Sequence, residues 1–441
     1  MKIAYVFDRA YPFSKGGVER RTWEMARRHA QKGHQVTIIS MKQWEGDKVM
    51  EMEGVRMIGV CPEVQVYVKG RRSVGAAVYF GLCVLFPLLK ERYDVVNASI
   101  FPYFSCLSAK VASIVWRSKL VFSCWELWGS YWGEYAGRMG TIGKVVERLT
   151  VKLPDWMVVE SDDTRLGLKS WGFDESRITV VPSGVDNRAV HSVLPAGADE
   201  AADVIYVGRL TSYKGIRVLI EAIGVLKERG KRVTVSIVGD GPQKEELQRV
   251  AQTIGVGDRL KFYGRVEDEK RVIALMKAAK MFAYPAAPLG GWALAPMEAN
   301  AAGLPVITTR NGSVEGSTDV VQDGVNGLLL EELTPTALAM KIATLVEDAV
   351  LRERLSRQAS EFAARYDWDN QTRKVEDVYA GLDTRGDGDQ RSDVRCPYGG
   401  GHRWCRSGRK VPVEALRASR RREYRREEPV QLVVRERLSW R

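Results

Sequence analysis

Twice along this chain a short apolar run passes through a glycine-containing loop into a helical period and then into a second apolar run, a repeat that admits few folds. In the first half Lys2–Asp8 leads through Arg9–Gly17 to a helical pattern over Val18–Lys32 and on to Gln35–Ser40. After the small, acidic stretch Leu194–Asp203 the rhythm restarts with Val204–Val207, the loop Gly208–Gly215, the helix Ile216–Arg229 and the strand Val233–Val238. Strand, loop, helix and strand in this order form the βαβ unit of a parallel sheet. Further strands are expected at Asp94–Ala98, Lys119–Ser123, Trp156–Glu160 and Ile178–Val181, and in the second half at Leu260–Tyr263, Met281–Tyr284, Pro305–Thr308 and Gly327–Leu330. The fold class is therefore α/β, with two Rossmann-like, doubly wound parallel-sheet domains. The cleft between them, at the carboxyl ends of the strands, is where ligands sit in such folds.

A length of 441 residues agrees with two to three domains, and an apolar fraction of 45% excludes a chain disordered throughout. The formal net charge of +12 is unevenly placed: Thr384–Arg441 holds 16 basic and 8 acidic residues, which leaves only +4 for residues 1–383. That last segment, with Arg420-Arg421-Arg422 and Arg425-Arg426, has no sustained period and reads as disordered or marginally ordered. Six cysteines are too sparse for a disulfide scaffold and point to a reducing compartment. Cys396 and Cys405, with His402 between them, lack zinc-site spacing and read as free thiols.

MKIAYVF runs into a strand pattern without a signal-peptide cleavage site, so the expected location is the cytoplasm. The longest apolar stretch, Val74–Leu89, falls short of the ~20 residues that span a bilayer and contains Pro87. It reads as a buried helix. The alternative is a surface leaning on the inner face of a membrane, with Arg71 and Arg72 near anionic headgroups.

Three segments carry candidate chemistry. Gly16-Gly17-Val18-Glu19 joins a strand to a helix, where glycine permits close backbone approach and free N–H groups suit an anion; a turn needed only for packing has the same text. Gly208–Gly215 sets two cations, Arg209 and Lys214, in a glycine-bounded loop after a strand. A diphosphate there would receive a bidentate guanidinium and a point-charge ammonium, although solvated loop charges are the other reading. The lysine position differs from that of a Walker loop. In Gly290–Glu298 a turn leads into a helix, so backbone N–H groups at Gly291, Trp292, Ala293 and Leu294 can face a ligand. Glu298 then either accepts two adjacent hydroxyls, as of a ribose, or interacts with the helix macrodipole. The aromatic run Trp125, Trp128, Tyr131, Trp132 and Tyr135 either stacks on sugar rings or lipid, or packs a helix start.

In this order the motifs resemble those of the retaining glycosyltransferases of family 4, which have the GT-B fold. The resemblance covers nearly all of residues 1–382 and rests on GGVE at Gly16–Glu19, VVPSGVD at Val180–Asp186, GRLTSYKG at Gly208–Gly215, VGDGP at Val238–Pro242, F-x-G-x-V at Phe262–Val266 and GGWALAPMEANAAGLPVI at Gly290–Ile307. It implies an acceptor-side domain over 1–186, a linker over 187–203, a donor-side domain over 204–365, a helix over 366–382 that crosses back to the first domain, and a basic tail over 383–441. It further implies that Arg209 and Lys214 bind and neutralise the leaving diphosphate, that Glu298 holds the ribose hydroxyls, that the Val266 backbone meets the base, and that Gly17 presents an amide near the phosphates. The co-substrate is a nucleotide-diphosphate sugar, with no obligatory metal or other cofactor, and the acceptor is a glycan or a lipid-linked molecule.

The sequence departs from the family pattern at three places. Gly290 stands where the family usually has Glu, Ala293 where it favours Gly, and Trp125 where a related segment usually has His. An indole exchanges no proton and cannot serve as a general base. The expected function is transfer of a hexose-like sugar with retention. The competing readings are a catalytically impaired relative that binds nucleotide or sugar, and a sugar-nucleotide epimerase. Nucleic-acid binding would have to reside in the basic tail and is not expected.

Overall fold

Strands buried on both faces of a parallel sheet are written as continuous apolar text, and a computed structural model of the chain sets such runs at the centres of two sheets. It describes residues 1–68, 71–129, 131–136, 140–286, 293–310 and 320–383. The first sheet contains β1 (Lys2–Val6), β2 (Gln35–Lys42), β3 (Val49–Met52), β4 (Val55–Pro62), β5 (Val95–Ser99), β6 (Lys119–Cys124), β7 (Trp156–Val159) and β8 (Ile178–Val180), in the order β8-β7-β6-β5-β1-β2-β4-β3. Only the β3/β4 pair is antiparallel. The second sheet, parallel throughout, contains β9 (Ala202–Val207), β10 (Val235–Val238), β11 (Leu260–Gly264), β12 (Ala279–Tyr284), β13 (Val306–Thr309) and β14 (Gly327–Leu330), in the order β11-β10-β9-β12-β13-β14. Strand order reverses beside β1 and beside β9. The loops after β1, β5, β9 and β12 therefore open at the carboxyl edges where ligands bind.

Fourteen helices follow the same chain order: α1 (Gly17–Gln31), α2 (Val74–Lys90), α3 (Tyr103–Trp116), α4 (Tyr131–Ala136), α5 (Gly140–Thr150), α6 (Asp162–Ser170), α7 (Asn187–Ser192), α8 (Ile216–Glu228), α9 (Lys244–Thr253), α10 (Glu269–Lys277), α11 (Leu294–Ala301), α12 (Pro335–Glu347), α13 (Ala349–Ala364) and α14 (Trp368–Asp383), counted among the described residues. Phe80, Val84 and Leu88 of α2, with Cys106 and Ala109 of α3, pack on Val6, Ala98, Leu120 and Phe122 at one face of the first sheet. Trp23 and Ala26 of α1, with Trp368, Val375 and Tyr379 of α14, pack on Ile3, Tyr5, Val95 and Val121 at the other. Ion pairs add to the α1/α14 contact: Arg28 Nε lies 2.7 Å from Asp369, and Lys32 and His34 both meet Glu376.

His29 of α1 is fully buried in this contact. Its Nδ1 lies 3.0 Å from the Tyr5 hydroxyl, and its Nε2 has no hydrogen-bond partner. Burial, reinforced by neighbouring His34, lowers its pKa to about 3. An unfolded histidine takes up a proton near pH 6.5 whereas the folded one stays neutral until about pH 3, so this contribution is complete above pH 6.5 and is lost as pH falls. Stability is expected to drop by about 1.4 kcal/mol per pH unit in that window. Urea midpoints measured from pH 7 to pH 5 check this, and His29→Gln should flatten the dependence.

Two glycines of the second domain have no substitute. Gly215 has φ +66°, and a Cβ there would fall 1.8 Å from the Pro285 carbonyl oxygen. Gly239 has φ +139°, with a Cβ falling 1.9 Å from the Gly208 carbonyl oxygen. The loop after β9 is thus wedged against the chain after β10 and after β12.

α2 differs from the expected buried helix. Only one side meets the sheet, and Val74, Leu82 and Phe86 on the other side are exposed. No helix among the described residues is long and apolar enough to cross a membrane. Residues 384–441, including the expected disorder, Cys396, Cys405 and His402, lie outside the described residues. Cys61, Cys83, Cys106 and Cys124 are free thiols.

Candidate active site

The two sheets direct two helix starts at each other. α1 begins at Gly17 after β1, and α11 begins at Leu294 beyond β12. A Cβ on Gly17 would lie 3.7 Å from Leu294 Cδ1. Unpaired N–H groups of both first turns and the positive ends of both helix dipoles thus converge. At Gly16, the residue before α1, the Glu19 carboxylate folds back so closely that a Cβ would fall 2.2 Å from its Oε2, and Ser14 Oγ donates to Glu19 Oε1 at 2.9 Å.

A cavity of about 360 Å³ opens at this junction. Of the residues expected at the site, Gly16, Gly17, Arg209 and Leu294 line it. Arg209 is exposed and makes no ion pair among the described residues. Lys214 ends the helical turn Ser212–Lys214; its ammonium donates to the Tyr284 hydroxyl and lies 4.8 Å from that ring's centroid. Val266 is half-buried against the second-domain core, and Ala293 precedes α11. Lys214, Val266, Ala293 and Glu298 are not among the lining residues. Gly290, Gly291 and Trp292 lie outside the described residues.

Glu298 carries a partner that no local pattern announced. Its Oε1 accepts from Arg20 Nη1 at 2.8 Å, and Arg20 Nη2 reaches Glu269 at 3.2 Å, so the second turn of α1 is tied to the second domain. Burial raises the Glu298 pKa, Arg20 opposes that rise and Glu269 adds to it. Lys15 to Glu267 at 2.8 Å, and the Tyr11 hydroxyl to Glu269 at 3.1 Å, complete this seam.

The first-domain side of the cavity is aromatic. Phe101 and Trp128 stack at 5.2 Å between centroids, and Trp128 contacts Trp132 at 4.9 Å. Buried Glu147 organises the segment. It accepts from the amides of Trp128 and Gly129 at 2.7 and 2.9 Å and from the Trp132 indole and Tyr103 hydroxyl at 3.1 Å. Its burial still raises its pKa despite those donors. Trp128 and Trp125 line the cavity, whereas Trp132 packs against the first-domain core, so the packing reading of the run holds for Trp132. The Tyr135 side chain and Ser130 lie outside the described residues. Trp125 Nε1 donates to Ser99 Oγ at 2.8 Å, and the buried Arg21 guanidinium sits 5.0 Å from its ring. This indole lines the cavity without supplying a base.

The remaining cavity cations are already paired: Arg9 with Glu63 at 2.6 Å, Lys15 with Glu267, and Arg72 with buried Asp8. Arg72 also lies 4.8 Å from the Phe101 ring centroid. No group of three His, Cys, Asp or Glu among the described residues is placed to hold a metal ion.

Comparison with known proteins identifies the family. Residues 195–362 match the family described as glycosyl transferases group 1, and residues 15–188 match glycosyltransferase family 4. D-inositol 3-phosphate glycosyltransferase of Corynebacterium urealyticum is 26% identical over 419 residues, 87% of this chain and 96% of the relative. The Corynebacterium efficiens protein of the same name is 31% identical over 316 residues, 66% of this chain and 71% of the relative. The structure of Anabaena Alr3699/HepE in complex with UDP superposes with a TM-score of 0.67 at 18% identity, covering 87% of this chain and all of that one. The chain thus belongs to glycosyltransferase family 4, the group 1 glycosyl transferases, and is a glycosyltransferase built on the GT-B fold.

Proposed function

We propose that the protein transfers a hexose-like sugar from a nucleoside-diphosphate sugar to a hydroxyl of a glycan or lipid-linked acceptor, with retention of anomeric configuration. The carrying observation is the convergence of two helix starts and the Arg209 guanidinium on one cavity. Such an arrangement favours an anion through oriented N–H donors and a planar cation. As the sugar–phosphate bond breaks, charge grows on the diphosphate oxygens, and donors already oriented toward them stabilise that charge without reorganising. Lys214, on the same loop, adds a point charge, and Glu298 at the fourth residue past the α11 start offers its carboxylate to ribose hydroxyls. In a retaining transfer of this kind the departing phosphate takes the acceptor proton, which suits a cavity where Trp125 replaces a histidine.

On the acceptor side, Phe101, Trp125 and Trp128 line the cavity, and an aromatic lining suits the C–H face of a sugar. Arg9, Lys15 and Arg72 are each held by a carboxylate, which favours an uncharged acceptor ring over the phosphorylated one in the Corynebacterium proteins' name. UDP is the first donor nucleotide to test, because the Anabaena neighbour was solved with it.

A panel of UDP-, GDP- and ADP-glucose, followed by thermal melting, tests the donor. At a hundred times its dissociation constant a donor stabilises the folded state by about 2.7 kcal/mol, so one base should raise the melting temperature by several degrees. No response to any nucleotide sugar would overturn the assignment.

A further inference from the structure

An ion pair between the two domains ends on the carboxylate that the donor reading gives to ribose. Leu294 lines the cavity, and Glu298, four residues later, lies on the same side of α11 one turn further along. From the first domain Gly17, Val18 and Glu19 line the cavity, and Arg20 follows directly. Arg20 Nη1 donates to Glu298 Oε1 at 2.8 Å, and Nη2 lies 3.2 Å from Oε2 of Glu269 on α10. The other Glu269 oxygen accepts from the Tyr11 hydroxyl at 3.1 Å. A planar guanidinium held on two sides fixes the carboxylate it donates to.

Glu298 keeps acceptor capacity in this arrangement. Its Oε2 has no hydrogen-bond partner among the described residues, its side chain is 21% exposed, and each carboxylate oxygen can accept twice. Two adjacent hydroxyls can therefore bind while Arg20 stays in place. Burial pushes this carboxyl toward its neutral form and Glu269 adds to the push, whereas Arg20 opposes both. Without Arg20 the carboxylate would be less fully ionised and free to turn.

We propose that Arg20 is a positioning residue for donor recognition, holding the Glu298 carboxylate in the orientation that accepts the 2′ and 3′ hydroxyls of a nucleoside diphosphate's ribose. The first domain thereby takes part in ribose recognition through a side chain that does not touch the nucleotide. This role rests on the donor reading and adds to it a residue 278 positions away from the carboxylate it sets.

The test is calorimetric titration of the full 441-residue chain with UDP, GDP and ADP, each paired with its 2′-deoxy form. For the base that binds, the wild-type chain should hold the deoxy form about tenfold more weakly, the loss of one hydrogen bond to a charged group. Glu298→Ala and Arg20→Ala should each reduce that ratio to about threefold or less, and the double variant should bind no worse than Glu298→Ala alone. Arg20→Lys, which keeps a cation, should restore part of the ratio. Lys15→Ala cuts the neighbouring pair with Glu267 and leaves Glu298 untouched, so its ratio should stay at the wild-type value. The Arg20 side chain is 25% exposed, so its loss opens no core, and the melting temperature of each ligand-free variant checks the fold. A wild-type ratio in Arg20→Ala, with the ratio lost in Glu298→Ala, would refute the role of Arg20 and leave the donor reading standing. Collapse of the ratio in Lys15→Ala as well would overturn it in favour of general closure of the seam. Tighter nucleotide binding by Arg20→Ala would overturn it in favour of a latch that ribose must displace. Failure of the wild-type chain to bind any of the three nucleotides would overturn the donor reading itself, and the role of Arg20 with it.

Discussion

Replacing Arg209 by alanine is expected to lower kcat by about 10²–10³-fold while leaving the melting temperature of the ligand-free protein unchanged. The guanidinium is exposed, lines the cavity and has no ion-pair partner among the described residues, so its removal opens no core and strands no buried charge. In the proposed reaction its contribution grows as further negative charge develops on the departing diphosphate, and that added part falls on kcat more than on donor affinity. Lys214 cannot stand in for it, because an ammonium is a point charge on another part of the loop and lacks the planar fork that grips two oxygens. Arg209→Lys should accordingly recover part of the loss. Release of nucleoside diphosphate at saturating donor measures the effect, and an unchanged kcat would move the diphosphate site away from this loop.

The largest stability loss is expected at Glu160, whose replacement by alanine should destabilise the protein by about 3–5 kcal/mol. The Arg21 side chain is 3% exposed, and its charge is met by Glu160 and Ser183, each 3.3 Å from Nη1. Ser183 also donates to Glu160, and the Trp125 ring covers the guanidinium. Burial pushes the Arg21 pKa down and the Glu160 pKa up, each opposed by the partner's charge. Removing the carboxylate leaves a buried cation without its counter-ion, which costs far more than the pair contributes. Glu160→Gln, which keeps an acceptor, should cost less than alanine, and Arg21→Met combined with Glu160→Leu should recover most of the loss. Urea unfolding of the four proteins decides this; a Glu160→Ala cost below about 1 kcal/mol would show the pair to be solvated.

Where the chemistry is local, the sequence was legible. Gly208–Gly215 reads as a cation-bearing loop because glycine, arginine and lysine sit at fixed offsets after an apolar run, and Arg209 indeed faces the cavity. The β3/β4 hairpin left a readable trace that went unused: the alternating burial of Val55–Pro62 and the Glu53-Gly54 turn, both residues at positive φ. The outward stripe of α2 left none, since a uniformly apolar helix does not declare which side the sheet will cover. Arg20 and Glu298 are 278 positions apart, and Glu147 gathers donors from four residues across two helices and a loop.

Residue order alone determined the two βαβ repeats, the α/β class and the cation-bearing loop Gly208–Gly215, because each depends on periodicity and backbone freedom within a few residues. The pairing of Arg20 with Glu298, the stacking of Phe101 on Trp128 and the exposed outer side of α2 were decided only by tertiary structure. Those features depend on which sheet edge each loop leaves and which side of a sheet each crossover covers. That is a property of strand order, and strand order is settled by the packing of the whole domain rather than by any segment of it.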